Sequence, residues 1–153
     1  MAKVTYREGD WFAVPLRDGG FAVGVIARTN PDGVLVGYFF APKRESLPSI
    51  DDLSDLKPGD AFMVRKFGHL GLTKGKWSVI GRLPGWERKD WPMPVFVRYE
   101  ELTGRSFKVF YDDNDPNKLV REEEVDPGVG EHGPRDGLLG AVAVEKLLTS
   151  QLR

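Results

Sequence analysis

The residues from Trp11 to Phe40 constrain the fold most tightly, because they alternate at the period of a β-strand and are broken twice by turn chemistry. Phe12, Val14 and Leu16 share one face of a first strand, and Arg17-Asp18-Gly19-Gly20 supplies the turn after it. The returning segment, Phe21 to Arg28, is apolar at both parities: Phe21, Val23, Val25 and Ala27 on one face, Ala22, Gly24 and Ile26 on the other. A strand apolar on both faces belongs in the middle of a sheet, and a glycine within it marks a bulge or a close approach. Thr29-Asn30-Pro31-Asp32-Gly33 forms the next turn and Val34 to Phe40 the third strand. Three consecutive antiparallel strands are expected.

The rest of the chain adds shorter elements. Ser49 suits the cap of a short helix through Asp51, Asp52 and Asp55, ended by Lys57-Pro58-Gly59-Asp60. Ala61 to Phe67 and Trp77 to Gly81 read as strands around the glycine-spaced loop Gly68 to Lys76, and Leu83 to Pro94 as a loop carrying Trp86 and Trp91. Val95, Val97 and Tyr99, then Phe107, Val109 and Tyr111, alternate as a second hairpin about Glu100 to Gly104. Beyond a breaker-rich linker at 126–135, Leu138, Ala141, Val144, Leu148 and Leu152 recur at helical spacing, which predicts a helix over 136–152 packed by its Leu138, Val144 and Leu148 face. The expected class is α+β: one domain over 1–153, with a β-rich core at 9–125, dominated by a twisted antiparallel sheet, open or partly closed like a barrel.

At 153 residues and 41% hydrophobic the chain can bury a proper core. It has no cysteine, which excludes disulfides, thiolate metal sites and a cysteine nucleophile. The first ten residues carry Lys3, Arg7, Glu8 and Asp10 without an apolar stretch, and no run approaches the roughly 20 apolar residues of a membrane helix, so a cytoplasmic location is expected. The net charge of −1 gives no global reason to bind nucleic acid. Charge is concentrated locally: from Asp112 to Asp126, Asp112, Asp113, Asp115, Glu122, Glu123, Glu124 and Asp126 face only Lys118 and Arg121, a balance of −5.

Local motifs for chemistry are weak. Asp113, Asp115, Asn117 and Glu124 match positions one, three, five and twelve of a calcium loop, but Lys118 takes the place of the turn glycine, Pro116 stiffens the loop, and a strand-like segment leads in. A solvated acidic turn without metal is the better reading. Gly128-Val129-Gly130-Glu131-His132-Gly133 spells a dinucleotide-binding string, yet it follows Asp126-Pro127 and runs into Pro134 where a strand and a helix are needed. Gly71 and Gly75 enclose three residues where a phosphate loop has four. His69 and His132 stand alone in glycine-flanked loops, with no G-x-S-x-G or H-E-x-x-H. No catalytic residue, metal or cofactor is assigned. Trp86 and Trp91, on a proline-rich loop, suit either partner anchoring or burial over the sheet.

Gly9-Asp10-Trp11-Phe12-Ala13-Val14-Pro15-Leu16 with Gly20 to Ile26 resembles the opening hairpin of the immunity protein 26 family. Gly75-Lys76-Trp77-Ser78-Val79-Ile80-Gly81, Pro92-Met93-Pro94-Val95-Phe96 and Phe110-Tyr111-Asp112-Asp113 follow in that family's order, so the resemblance spans residues 9–125. It implies a strand-rich α+β fold and a bacterial cytoplasmic protein that neutralises a partner toxin of a polymorphic toxin system, with no catalytic or metal residues to carry over. The expected partner is a cognate toxin, such as a basic nuclease-like domain, met by Asp112, Asp113, Asp115, Glu122, Glu123, Glu124, Trp86 and Trp91 and occluded. The rival readings are a small-ligand or nucleic-acid module stacking on Trp86 and Trp91, and an enzyme whose cleft is assembled only in three dimensions.

Overall fold

In the computed structural model, which describes residues 5–130 and 132–152, the chain builds two sheets. The larger has six strands in the order β5-β1-β2-β3-β4-β9, with β1 at Asp10–Pro15, β2 at Phe21–Thr29, β3 at Val34–Arg44, β4 at Met63–Gly68, β5 at Ser78–Arg82 and β9 at Leu138–Leu139. The smaller has three: β6 at Phe96–Glu100, β7 at Arg105–Asp112 and β8 at Asp115–Val125. Neither closes into a barrel. The expected meander is present, with Trp11 opposite Val25 and Val25 opposite Tyr38.

β2 is central and buried on both faces, which is why its sequence is apolar at both parities. One face joins Phe12, Val14, Ile26, Leu35, Phe39 and Phe67 to Trp77 and to Val144 and Leu148 of α3, the helix at Ala141–Gln151. The other joins Trp11, Val23, Val25, Tyr38 and Phe40 to Leu53, Trp91 and the second sheet's Phe96 and Val109. The six-stranded sheet is therefore the middle layer, between α3 on one side and the small sheet with the Leu83–Pro94 loop on the other. Gly24 is a point of close approach, because a Cβ there would lie 2.9 Å from both Phe12 Cζ and Phe39 Cδ1.

Several elements differ from the sequence reading. The last helix begins at Ala141, and Leu138 lies in β9, paired parallel with β4 and half exposed, because the backbone of 134–139 first follows the edges of β6 and β4. The linker contains a single helical turn, α2, at Pro127–Gly130, and Glu131 of the glycine string lies outside the described residues. The glycine-spaced loop after β4 contains another turn, α1, at Leu70–Thr73. The acidic stretch read as a solvated turn is mostly strand. After a tight turn at Asp113-Asn114, β8 runs back along β7 as an arm whose residues 117–124 are exposed. Among the described residues no helix is long and apolar enough to cross a membrane.

Candidate functional site: the acidic arm

β8 projects because β7 holds it on one side only. Its register is regular where Glu122, Glu123 and Glu124 face Val109, Lys108 and Phe107, and it slips at Val120, which has no partner between Arg121 and Leu119. The opposite edge of the small sheet is covered: Val97 N–H donates to Pro134 O at 2.7 Å and Asp136 N–H to Val97 O at 2.8 Å. Leu119 and Val120 stand 51% and 58% exposed on the arm, an apolar step among charges.

The acids predicted to meet a partner divide into two groups. Asp113 and Asp115 latch the base of the arm to the body, and Asp112 shapes its turn. Asp112 accepts the Asn114 N–H at 2.8 Å and so makes the turn. Asp113 accepts Arg28 Nε at 3.0 Å and Arg28 Nη2 at 2.9 Å on one oxygen, and Arg88 Nη1 at 3.0 Å on the other. Arg28 is itself 3% exposed and donates to the carbonyls of Ala27 and Trp91 at 2.6 and 2.8 Å, so its charge is fully engaged. Arg88 extends the chain of charges to Glu8 at 2.9 Å. Asp115 accepts Asn30 Nδ2 and the Asn117 N–H, both at 2.9 Å, and these bonds, Asn30's the stronger cause, hold its carboxyl below the usual carboxylate range.

Glu122, Glu123 and Glu124 form the second group, seven or more residues along the arm from Asp115, roughly 20 Å at 3.3 Å per residue. Each has a nearby cation: Arg98 at 3.0 Å from Glu122, Arg121 at 3.6 Å from Glu123 and Arg105 at 3.9 Å from Glu124. The linear balance of −5 is thus partly offset in space by Arg28, Arg88, Arg98 and Arg105 from other elements. Exposed pairs of this kind contribute only about 0–1 kcal/mol, so the three glutamates are loosely held and exchangeable, whereas Asp113, itself 57% exposed, is anchored by two bonds to the buried Arg28 guanidinium.

The two tryptophans also separate. Trp91 is 6% exposed and packs edge-on to Trp11, Tyr38 and Phe40, so it serves the core and offers no stacking platform. Trp86 is half-buried against Gly9 with Arg82 at 5.2 Å over its ring. Arg88, between them, brings their loop to the base of the arm and not to Glu122–Glu124. Among the described residues no group of three or more His, Asp or Glu side chains could hold a metal. His69 accepts or donates to Tyr6 Oη at 2.7 Å.

Sequence reasoning missed Arg28, Asn30 and Arg88, the partners that occupy the predicted acids. Arg28 carried a signal, a lone charge ending an otherwise apolar central strand. It also missed Lys66, 4% exposed, whose ammonium lies 3.5 Å from the Tyr111 ring centroid and 3.8 Å from Asp136, which in turn accepts the Tyr111 hydroxyl at 2.7 Å.

The model of the Immunity protein 26 family matches residues 7–108, two thirds of the chain. The chain belongs to that family. A toxin-neutralising immunity role, with a cognate toxin as partner, follows from the membership. No curated protein and no solved structure matches the chain. The match covers the six-stranded sheet except β9, then β6 and the first half of β7; β8 and everything after it lie outside.

Proposed function

We propose that this immunity protein neutralises its toxin by occlusion, with the β8 arm as the toxin-facing surface and Glu122, Glu123 and Glu124 meeting cations that line the toxin's active cleft. The observation that carries this reading is an 11-residue strand that, among the described residues, pairs along one edge only and is exposed throughout 117–124. Apolar Leu119 and Val120 within a charged surround have the composition of an interface with a polar rim. The arm lies outside the family match, as suits the part that must fit one toxin among many.

The arm's chemistry selects a basic partner. In the regular stretch 121–125, antiparallel pairing of two copies about Glu123 would set Glu122 against Glu124 and Glu123 against itself, and the slip at Val120 interrupts the edge just beyond. A basic strand or loop meets no like-charge clash along 121–125. It can take over the glutamates from Arg98, Arg121 and Arg105 at little cost.

Binding kinetics against the cognate toxin domain test the reading. Reversing Glu122, Glu123 and Glu124 to lysine should slow association roughly tenfold or more at low salt and flatten its salt dependence, because complementary charge acts chiefly on encounter. An unchanged association rate would place the interface elsewhere, with the Trp86 loop next in order.

A further inference from the structure

The outer edge of β4 is paired with β9 only at Lys66 and Phe67. Ahead of those residues it opens into a cleft of about 530 Å³ between the 132–135 segment and α3, a volume in the range of small-molecule sites. Phe62, Met63 and Leu147 give it apolar surface, and Arg65, Arg135 and His132 are its charged or titratable lining. No carboxylate is among the described lining residues. Asp136, whose charge acts on Arg65 from outside the lining, is committed to the Tyr111 hydroxyl at 2.7 Å and to Lys66 at 3.8 Å.

Among the described residues neither Arg65 nor Arg135 forms an ion pair, and Arg65 Nε is buried with no hydrogen-bond partner. A buried N–H left unpaired costs about 1–3 kcal/mol, more on a charged group, so a guanidinium held this way is short of an acceptor. Burial and then the neighbouring Arg135 hold the Arg65 pKa below its ordinary value. Two cations that disfavour each other are best relieved by a divalent anion, and guanidinium forks match the geometry of phosphate oxygens.

We propose that this cleft binds the dianionic phosphate of a small phosphomonoester with an apolar or aromatic body, the phosphate between Arg65 and Arg135 and the body against Phe62, Met63 and Leu147. A carboxylate brings one charge where two guanidiniums wait, and inorganic phosphate leaves the apolar surface wet. The site stands apart from the toxin reading, since none of its lining residues belongs to the arm.

The test follows the Arg65 Nε–H resonance of the full chain as phenyl phosphate, inorganic phosphate or benzoate is added. Phenyl phosphate should give a saturable shift and bind at least about fivefold more tightly than either of the others. Arg135→Gln, a change at an exposed side chain, should weaken it about tenfold with thermal unfolding unchanged, and Arg65→Gln at least as much. The proposal is overturned by no saturable shift up to about 10 mM, by binding that Arg135→Gln leaves intact, or by benzoate binding as tightly as phenyl phosphate.

Discussion

The two sheets put the charged residues of their strands to opposite uses. In the six-stranded sheet the charges in β2 and β4 that lie inside, Arg28 and Lys66, are each enclosed by named partners, and both faces are sealed by aromatic packing. In the three-stranded sheet β6 and β7 have a buried face, but β8 has none along 117–124, and its ion pairs sit in solvent. Charge inside the body fixes geometry, and charge on the arm is free to be exchanged. Substitutions should therefore fall into a steep series on the body and a flat one on the arm.

The largest effect belongs to the sealed face. Phe12 touches three rings at once, with centroids at 5.7 Å to Phe39, 5.8 Å to Phe67 and 5.9 Å to Trp77, the last stacked. Phe12→Ala should cost about 3–5 kcal/mol by urea unfolding, because the surrounding aromatics are too rigid to collapse into the void. A loss under about 1 kcal/mol would mean that this face is not the cooperative core.

That face was also what the sequence displayed most clearly, and for the same reason. Alternation appears in a sequence when burial selects residues by side, so β1, β2 and β3 were legible from Trp11 to Phe40. β8 is exposed on both sides, so burial imposes no period on it and Asn117 to Glu124 read as a turn. Leu138 was misplaced because an apolar residue at helical spacing does not reveal that the chain first makes a short parallel pairing with β4, a contact between residues some 70 positions apart. Of the candidate site, the acids were visible as a run, but their division into a latch and a loose trio depends on Arg28, Arg88, Arg98 and Arg105, which only the fold brings near.

Next in size is the latch. Arg28→Met should cost about 2–3 kcal/mol, since it strips the acceptors Ala27 O and Trp91 O of a buried donor, while Asp113, 57% exposed, keeps Arg88 and water. Asp113→Asn should cost less, about 1 kcal/mol, because Arg28 retains its carbonyls. The reverse order would show that the acid rather than the arginine organises the base of the arm. Amide exchange in β8 should quicken in both variants.

A smaller, pH-dependent effect arises where the sheets meet. Burial, and then the hydrogen bond to the Asp136 carboxylate, push the Tyr111 phenol well above its ordinary 10.0, and burial pushes the Tyr38 phenol up as well. A group whose folded pKa is raised stabilises fully below the unfolded value and loses that contribution as pH climbs past it, so stability should fall above about pH 10. Burial lowers Lys66 from 10.5, only partly offset by Asp136, and this works in the opposite direction up to that value. The decline should therefore steepen above about pH 10.5, where Lys66 no longer opposes it, and be shallower in Tyr111→Phe, followed by urea midpoints beside the 295 nm absorbance of phenolate. Equal slopes in the two proteins would show that Tyr111 ionises as freely folded as unfolded.

The smallest effect is expected on the arm, and it is the one that most sharpens the contrast. Glu122, Glu123 and Glu124 pair with Arg98, Arg121 and Arg105 across distances of 3.0, 3.6 and 3.9 Å, and all six side chains are at least 36% exposed. At that exposure each pair contributes about 0–1 kcal/mol and is screened within about 8 to 10 Å at physiological salt. Neutralising the three together to glutamine should leave the urea midpoint within about 0.5 kcal/mol of the parent, and the difference should vanish as salt rises. Lysine reversals place like charges beside Arg98, Arg105 and Arg121, so they should destabilise slightly more at low salt and converge with the glutamine variant at high salt. A loss above about 2 kcal/mol for the glutamine triple would mean that the glutamates hold the arm in place as Asp113 does, and the division of this stretch into a fixed base and an exchangeable end would fail.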